Sequence, residues 1–413
     1  MVATSEQVDA LLLFVCGALT LLIPPGLAFF VGGLNGRSAA SRALLFALTG
    51  TATTVLLGVL GGYGILAGSP WIAHIVGTPS LDLATGFGAT GAHGAAGGRG
   101  GSLYALAHAG ALLAACSVSV AIVGVAVASR ITLRAWLVFT VLWSVLVLYP
   151  VAYAVFALDD GWATGVMGVI DFGGALPIGV AAGAAAAGVI LACGRGEHRR
   201  PGERSFGAVA IGGTLVWVGW LGLTTGSEGA VDAYTGLIAV NSFLASAGGC
   251  LAWMVVDRVL LRRPTTTSAL CGAFSGLVAI TPASGVLTLG WSLLLGVIAA
   301  LACATMVDVA ARARFGASMT LIVIVTVASM VGLLYIGLFS NGGGMVDSGN
   351  FDLFTAQGIA GFSVLIGSFL IALCIALALR YTMGLTRVGY RARNEPTAER
   401  DRETVPPGAV HER

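Results

Sequence analysis

Residues 317–339 read ASMTLIVIVTVASMVGLLYIGLF, a continuous apolar run without a single charged side chain. Crossing the roughly 30 Å hydrocarbon core of a bilayer takes about 20 residues of helix. A surface helix of a soluble protein would show a stripe of charged or amide side chains, and this run has none. It therefore predicts a membrane-spanning helix. Runs of the same kind lie at residues 10–33, 43–67, 103–128, 134–157, 174–193, 206–225, 235–261, 268–283, 286–307 and 353–383. The expected fold class is thus an all-α membrane protein with eleven transmembrane helices. The run at 268–283 is short for a crossing, and the one at 353–383 is long enough to be strongly tilted.

Composition supports the same reading. The chain has 413 residues, 57% hydrophobic and 10% charged, with a mean hydropathy of +0.94; soluble domains carry about 25% charged residues. The 61 glycines suit a membrane bundle, where small residues let helix backbones approach closely. A net charge of +2, with no basic run interleaved with aromatics, excludes nucleic acid as a partner. The seven cysteines lie in or beside apolar runs without metal-type spacing and read as small core hydrophobes. The sequence offers no nucleophile with a neighbouring base, no metal-spaced His or Cys cluster and no phosphate loop, so neither an enzyme nor a cofactor is expected. Met1–Ala10 carries Glu6 and Asp9 but no basic stretch, so the first apolar run is expected to stay as a span and not to be cleaved as a signal.

Orientation follows from arginine, since the chain has no lysine. Alternate loops hold Arg37 and Arg42; Arg130 and Arg134; Arg195, Arg199, Arg200 and Arg204; Arg258, Arg262 and Arg263; Arg312 and Arg314; and the tail from Arg387. The intervening loops hold Arg99 alone, with acids such as Asp159, Asp160, Glu228, Asp232, Asp347 and Asp352. Basic loops stay cytoplasmic, which puts the N-terminus outside and the C-terminus inside. The expected organisation is a transmembrane domain over 1–387, with a Gly-rich external loop at 68–101, and a flexible cytoplasmic tail at 388–413. Ten helices followed by one more invite a five-plus-five inverted repeat; Phe172-Gly173-Gly174 at the fifth span and Phe315-Gly316-Ala317 at the tenth are a faint echo of one.

Several strings, in this order, resemble the ammonium transporter, methylammonium permease and Rhesus protein family through nearly all of these spans. They are Ile23-Pro24-Pro25-Gly26-Leu27-Ala28-Phe29-Phe30-Val31-Gly32-Gly33-Leu34, Asp171-Phe172, Trp217-Val218-Gly219-Trp220-Leu221-Gly222 with Gly226-Ser227, Val240-Asn241-Ser242, and Leu277-Val278-Ala279-Ile280-Thr281-Pro282-Ala283-Ser284-Gly285. The resemblance implies a homotrimer in the plasma membrane, each protomer with its own narrow apolar pore serving ammonium uptake. It also implies an outer vestibule of aromatic faces, a hydroxyl and a carboxylate, then paired gating phenylalanines, then two facing histidines from the fifth and tenth spans.

By that resemblance Ser227 falls on the vestibule hydroxyl, Asp171 on the carboxylate, and Phe156 on a position usually held by Trp; a Phe face still attracts cations, though less. Read from the residues alone, Asp171 is first an N-cap of the fifth span, Phe156 equally a packing residue, and Ser227 equally a cap of local backbone. His108 reads as a wall or structural residue near the outer end of the third span. The gating phenylalanines fall on Ala111 and Ala115. The two histidines fall on Gly179 and Ser318, and none of the chain's five histidines lies in the fifth or tenth span. Pro177 should kink the fifth span beside Gly179. The acids usual before the tenth span are missing from Asp308–Arg314, and Gly384-Leu385-Thr386-Arg387-Val388 keeps only the start of the family's cytoplasmic motif, so a PII-type signal protein at that mouth is weakly supported. Transport of ammonium or ammonia without the histidine pair is the leading reading. A non-conducting ammonium-binding or sensory component, and a pore for another small neutral solute, are its rivals.

Overall fold

A computed structural model describes residues 5–85, 102–194, 204–260, 263–313 and 316–386. Arg99, Phe315 and the tail 388–413 lie outside these residues. Helices α1 (Ser5–Thr20) and α2 (Ile23–Asn35) form one long segment broken at Leu21–Leu22. Pro24 and Pro25 open α2, where a missing N–H costs least. Helix α3 (Arg37–Leu57) passes through a π-helical turn at Gly58–Gly62 into α4 (Tyr63–Ala67). A small antiparallel hairpin follows, β1 (Pro70–Ile72) with β2 (Val76–Gly77), and then α5 (Asp82–Thr85). The first half of the Gly-rich 68–101 segment therefore has regular structure, and its remainder lies outside the described residues.

Helix α6 (Ser102–Val127) is followed by α7 (Leu133–Trp143), which runs through a π-helical turn at Ser144–Leu148 into α8 (Tyr149–Phe156). A π-helical turn at Leu176–Val180, around Pro177, opens α9 (Ala181–Cys193). Then come α10 (Phe206–Gly226), α11 (Ala233–Leu260), α12 (Thr266–Ile280), α13 (Leu289–Arg312), α14 (Ala317–Phe339), α15 (Met345–Ser348) and α16 (Asp352–Thr382). Among the described residues ten helical segments are long and apolar enough to cross a membrane. The remaining run of the sequence, the eighth at 268–283, becomes α12, whose 15 residues reach about 22 Å. Helix α16, with 31 residues, reaches about 46 Å.

Helix α6 is the axis of the bundle. Of its apolar stretch 89% is buried, against 33% for α16, and it packs on α1, α2, α3, α9 and α14. Helix α12, packed on α10, α11, α13 and α14, stops deep in the bundle at the turn Thr281–Gly285. That turn is tied on three sides. The Trp220 indole N–H donates to Thr281 Oγ1 at 2.9 Å, and the Asn241 amide donates to the Ser284 and Leu287 carbonyls, both at 2.9 Å. From the α8–α9 connection, the Phe172 and Gly173 N–H groups donate to the Pro282 and Thr281 carbonyls at 3.1 and 3.0 Å.

Arginines close one end of the bundle. Arg42 donates to the Ala128 and Ile131 carbonyls at 2.5 and 2.6 Å, satisfying the end of α6, and Arg380 donates to Ala192 at the end of α9 at 2.8 Å. These cations sit where the helix dipole favours them. At the same end Thr132 N–H donates to the Leu385 carbonyl at 3.0 Å, and Ile131 bridges to Thr386. At the opposite end the hairpin leans on the α8–α9 connection: Trp162 N–H donates to the His74 carbonyl at 2.9 Å, and His74 Nδ1 lies 2.8 Å from the Asp160 carbonyl.

Helices α11, α12 and α13 meet through glycine. A Cβ on Gly276 or on Gly296 would lie 2.0 Å from the Ala245 carbonyl oxygen, whereas one on Gly290 would meet nothing within 4 Å. Gly276→Ala is expected to destabilise the protein by about 1–3 kcal/mol, the ordinary cost of overpacking, seen as a lower Tm in detergent. Gly290→Ala should not lower Tm.

Candidate functional site

One part of the site is built on the connection from α8 to α9. Asp171 is 5% exposed, and both carboxylate oxygens are engaged: Ala175 N–H donates to Oδ1 at 2.6 Å and Leu176 N–H to Oδ2 at 2.8 Å. It is therefore the cap of the π-helical turn that opens α9. Burial pushes its carboxyl up to about 6, against the backbone amides of Leu176, Ala175 and Gly174, which favour the charged form. Gln357 of α16 holds the residue before it, donating to the Ile170 carbonyl at 2.8 Å. Phe156, half-buried at the end of α8, lies against this same turn: a Cβ on Gly174, whose φ is +78°, would stand 2.7 Å from the Phe156 ring. Phe156 and Asp171 are thus brought together.

Ser227 belongs to a different wall. It ends α10, and its hydroxyl donates to the Leu223 carbonyl at 2.8 Å. Two residues on, a Cβ at Gly229 would lie 3.1 Å from the Tyr104 hydroxyl. Tyr104 stacks on His108 one turn further along α6, with ring centroids 6.0 Å apart and planes at 15°. This aromatic pair, in which the sequence did not single out Tyr104, reaches the turn that follows Ser227 through the Tyr104 hydroxyl. Its signal was the Tyr-x-x-x-His spacing, which puts both rings on one helical face. Deeper on α6, Ala115 is buried, while Ala111 stands against α1, its Cα 3.2 Å from where a Cβ on Gly17 would be.

At the middle of the bundle Gly179 faces α14. A Cβ there would lie 1.9 Å from Ser329 Oγ and 2.9 Å from the Val325 carbonyl oxygen. One turn on, a Cβ at Gly183 would lie 1.9 Å from Thr326 Oγ1. Ser318 does not share this place. It sits in the first turn of α14, three turns before Ser329 and about 16 Å away along the helix. The structure therefore does not bring Gly179 and Ser318 together; Ser329 is the side chain opposite Gly179. Of the histidines, only His74 and His108 are among the described residues, and neither is on α9 or α14. Outside this contact, an open-sided apolar groove of about 590 Å³ runs between α9, α14 and α16, bordered by Gly183, Thr326 and Phe369.

Fold and site together define a class of protein: a bundle of membrane-crossing helices whose centre holds glycines and hydroxyls, with no His, Cys, Asp or Glu group fit for a metal among the described residues. A family model described as the Ammonium Transporter Family matches residues 11–396, and the chain belongs to that family. An ammonium transporter of Mycobacterium tuberculosis (strain H37Rv) is 32% identical over 412 residues, covering 91% of this chain and 85% of the relative. One of Bacillus subtilis is 31% identical over 302 residues, 71% of each chain. The crystal structure of Candida albicans Mep2 superposes with a TM-score of 0.80 at 23% identity, covering 91% of this chain and 84% of that one. A structure named Sensor Amt Protein gives 0.82 at 18% identity, covering 94% and 97%.

The raised carboxyl of Asp171 has a pH signature. A folded-state value above the unfolded one, about 3.9, adds stability that is full below the unfolded value and is lost as pH rises through about 6. Wild type is therefore expected to gain Tm relative to Asp171→Asn between about pH 7 and about pH 5. Asp171→Ala, which vacates both amide bonds, should cost about 1–2 kcal/mol, again read as Tm.

Proposed function

We propose that the protein carries ammonium, or the ammonia in equilibrium with it, across the plasma membrane through a path in each protomer, without a histidine pair. The observation that carries this reading is the 32% identity to an ammonium transporter over 91% of the chain. The reading includes eleven crossings, with α12 and the Thr281–Gly285 turn completing the one that is too short as helix alone, and with α16 tilted. The arginine-capped end is cytoplasmic, so the N-terminus is external and the C-terminus internal. An inverted five-plus-five repeat fits the way the interrupted elements at Asp171–Leu176 and Thr281–Gly285 bond to each other, and a homotrimer fits the family. Leu385 and Thr386, within the 384–388 motif, bond to the α6–α7 turn, but only the beginning of the motif is present and a PII-type partner is left out of the reading.

At the outer mouth the Phe156 face, the Ser227 hydroxyl and the rings of Tyr104 and His108 supply what a small cation needs when it sheds water: π faces and a hydroxyl oxygen. Asp171, with both oxygens on backbone amides, acts by holding the turn under Phe156 and by lending negative charge. Ala111, Ala115, Gly179 and Ser318 are assigned to the inner lining by the motif resemblance, Ser318 at its cytoplasmic end and not its middle.

Cells lacking their own ammonium transporters are expected to take up radiolabelled methylammonium when they express this chain; uptake equal to the empty vector across external pH would refute transport. Within that assay Phe156→Ala should raise the half-saturating concentration roughly 2- to 5-fold, as loss of an exposed cation–π contact implies, with the maximal rate retained.

A further inference from the structure

Some of the hydroxyls inside this bundle are used up by their own helix. Thr20, Ser117, Thr140, Ser242, Ser275 and Thr281 each donate to the carbonyl four residues back, at 2.8 or 2.9 Å, as such side chains commonly do in helices. Ser329 departs from this, as do nine other buried hydroxyls among the described residues; of these ten, Ser329 and Thr326 are the two that stand within 2 Å of where a glycine's Cβ would be. Ser329 is 1% exposed, and its Oγ has no hydrogen-bond partner, although the Val325 carbonyl stands four residues back on its own helix. The hydroxyl instead occupies the room left by Gly179, where a Cβ would fall 1.9 Å from it. Gly179 itself belongs to the π-helical turn around Pro177, where the regular ladder of amide donors is interrupted. Thr326 also presents an unpartnered Oγ1 to a glycine, Gly183. It differs in place: Thr326 borders the open-sided groove beside α16, and Ser329 does not.

We propose that the Ser329 hydroxyl, set against Gly179, is the residue that hydrogen-bonds the permeating molecule at the middle of the membrane and so selects what passes. This rests on the transport reading above and names the side chain that would carry its central step. A buried hydroxyl without a partner is costly in a water-free interior, and a solute that both donates and accepts removes that cost as it passes. One hydroxyl matches a small neutral base: it donates to the lone pair, or accepts from an N–H. It does not match ammonium, which has four donors and no acceptor, because neither α9 nor α14 carries an acidic, basic or histidine side chain to stand in for the lost water. The proton of ammonium stays in the external water, and the species held at Ser329 is uncharged.

The test uses the full chain reconstituted in vesicles of phosphatidylethanolamine and phosphatidylglycerol, with the flux of ammonia read from a lumenal pH dye and that of methylamine from radiolabel. Ser329→Ala is expected to lower the maximal rate about tenfold or more, at an unchanged half-saturating concentration and an unchanged Tm, while Thr326→Ala conducts as wild type does. A Ser329→Ala protein that conducts at the wild-type rate overturns the proposal and leaves transport standing. An equal loss in Thr326→Ala assigns the effect to α9–α14 packing and also overturns it. Wild-type flux no greater than that of protein-free vesicles refutes transport itself, and the proposal with it.

Discussion

In hydrocarbon every backbone N–H and C=O has to find its partner within the protein, and this chain interrupts its helices repeatedly. Breaks fall at Leu21–Leu22, Gly58–Gly62, Ser144–Leu148, Leu176–Val180 and Thr281–Gly285. The fold depends on where the freed groups go. Two of the breaks answer each other: the amides of Phe172 and Gly173 end on the carbonyls of Thr281 and Pro282. The amides that remain at the start of the Leu176–Val180 turn end on Asp171. The carbonyls of Ser284 and Leu287 receive Asn241. A polar seam thus runs through the bundle from α11 to α9 and fixes the depth at which α9 and α12 begin and end.

Around that seam, close contact does the rest. The Trp136 indole N–H donates to the Phe46 carbonyl at 3.0 Å, and Trp143 reaches Ser368, so large rings are buried with their one polar atom satisfied. Glycines at 26, 212, 249, 272, 276 and 296 bring backbones within reach of one another: a Cβ at each would fall 2.0–2.9 Å from a neighbouring main-chain atom. Between helices in a bilayer, dispersion at such contacts substitutes for a hydrophobic drive. Rigid packing of this kind is also what holds small outer features, such as Phe156 over Gly174, in a fixed relation to the turn beneath them.

Much of this was legible in the sequence, and what was not has a physical reason. The crossing helices showed because charge is absent or confined to the ends of each of them, and α12 showed as short because its apolar run is itself short. The Ile280–Gly285 string was legible as a motif, though not as the place where α10, α11 and the α8–α9 connection converge; that convergence is tertiary. Asp171 as a cap followed from its place before glycines and a helix. Ser318 was paired with Gly179 because α14 carries no charged stripe to fix which side faces inward, so its register rested on the Phe315-Gly316 string alone; Gly316 caps the start of α14 and not its middle. The hairpin within 68–85 escaped notice because its anchors, His74 and Trp162, are far apart in the chain and meet only in the fold.

The absence of imidazole from the centre is a property of how far apart two helices stand, more than of one residue's identity. A hydroxyl in the way could rotate aside, but a side chain at 179 would also come within 2.9 Å of the Val325 carbonyl oxygen, and a main-chain oxygen cannot. Placing a ring there requires α9 and α14 to separate, which would open the Gly183–Thr326 contact one turn on and widen the groove beside α16. Along the proposed path, protonation is therefore confined to the ends. Asp171, whose titration falls near pH 6 because it is buried, lies in the connection above α9. Below it Gly179 and Ser329 keep the same charge, none, at any pH the membrane meets. On the proposed path, any pH dependence of transport arises where the solute is gathered, and the centre discriminates only by size and by hydrogen bonding.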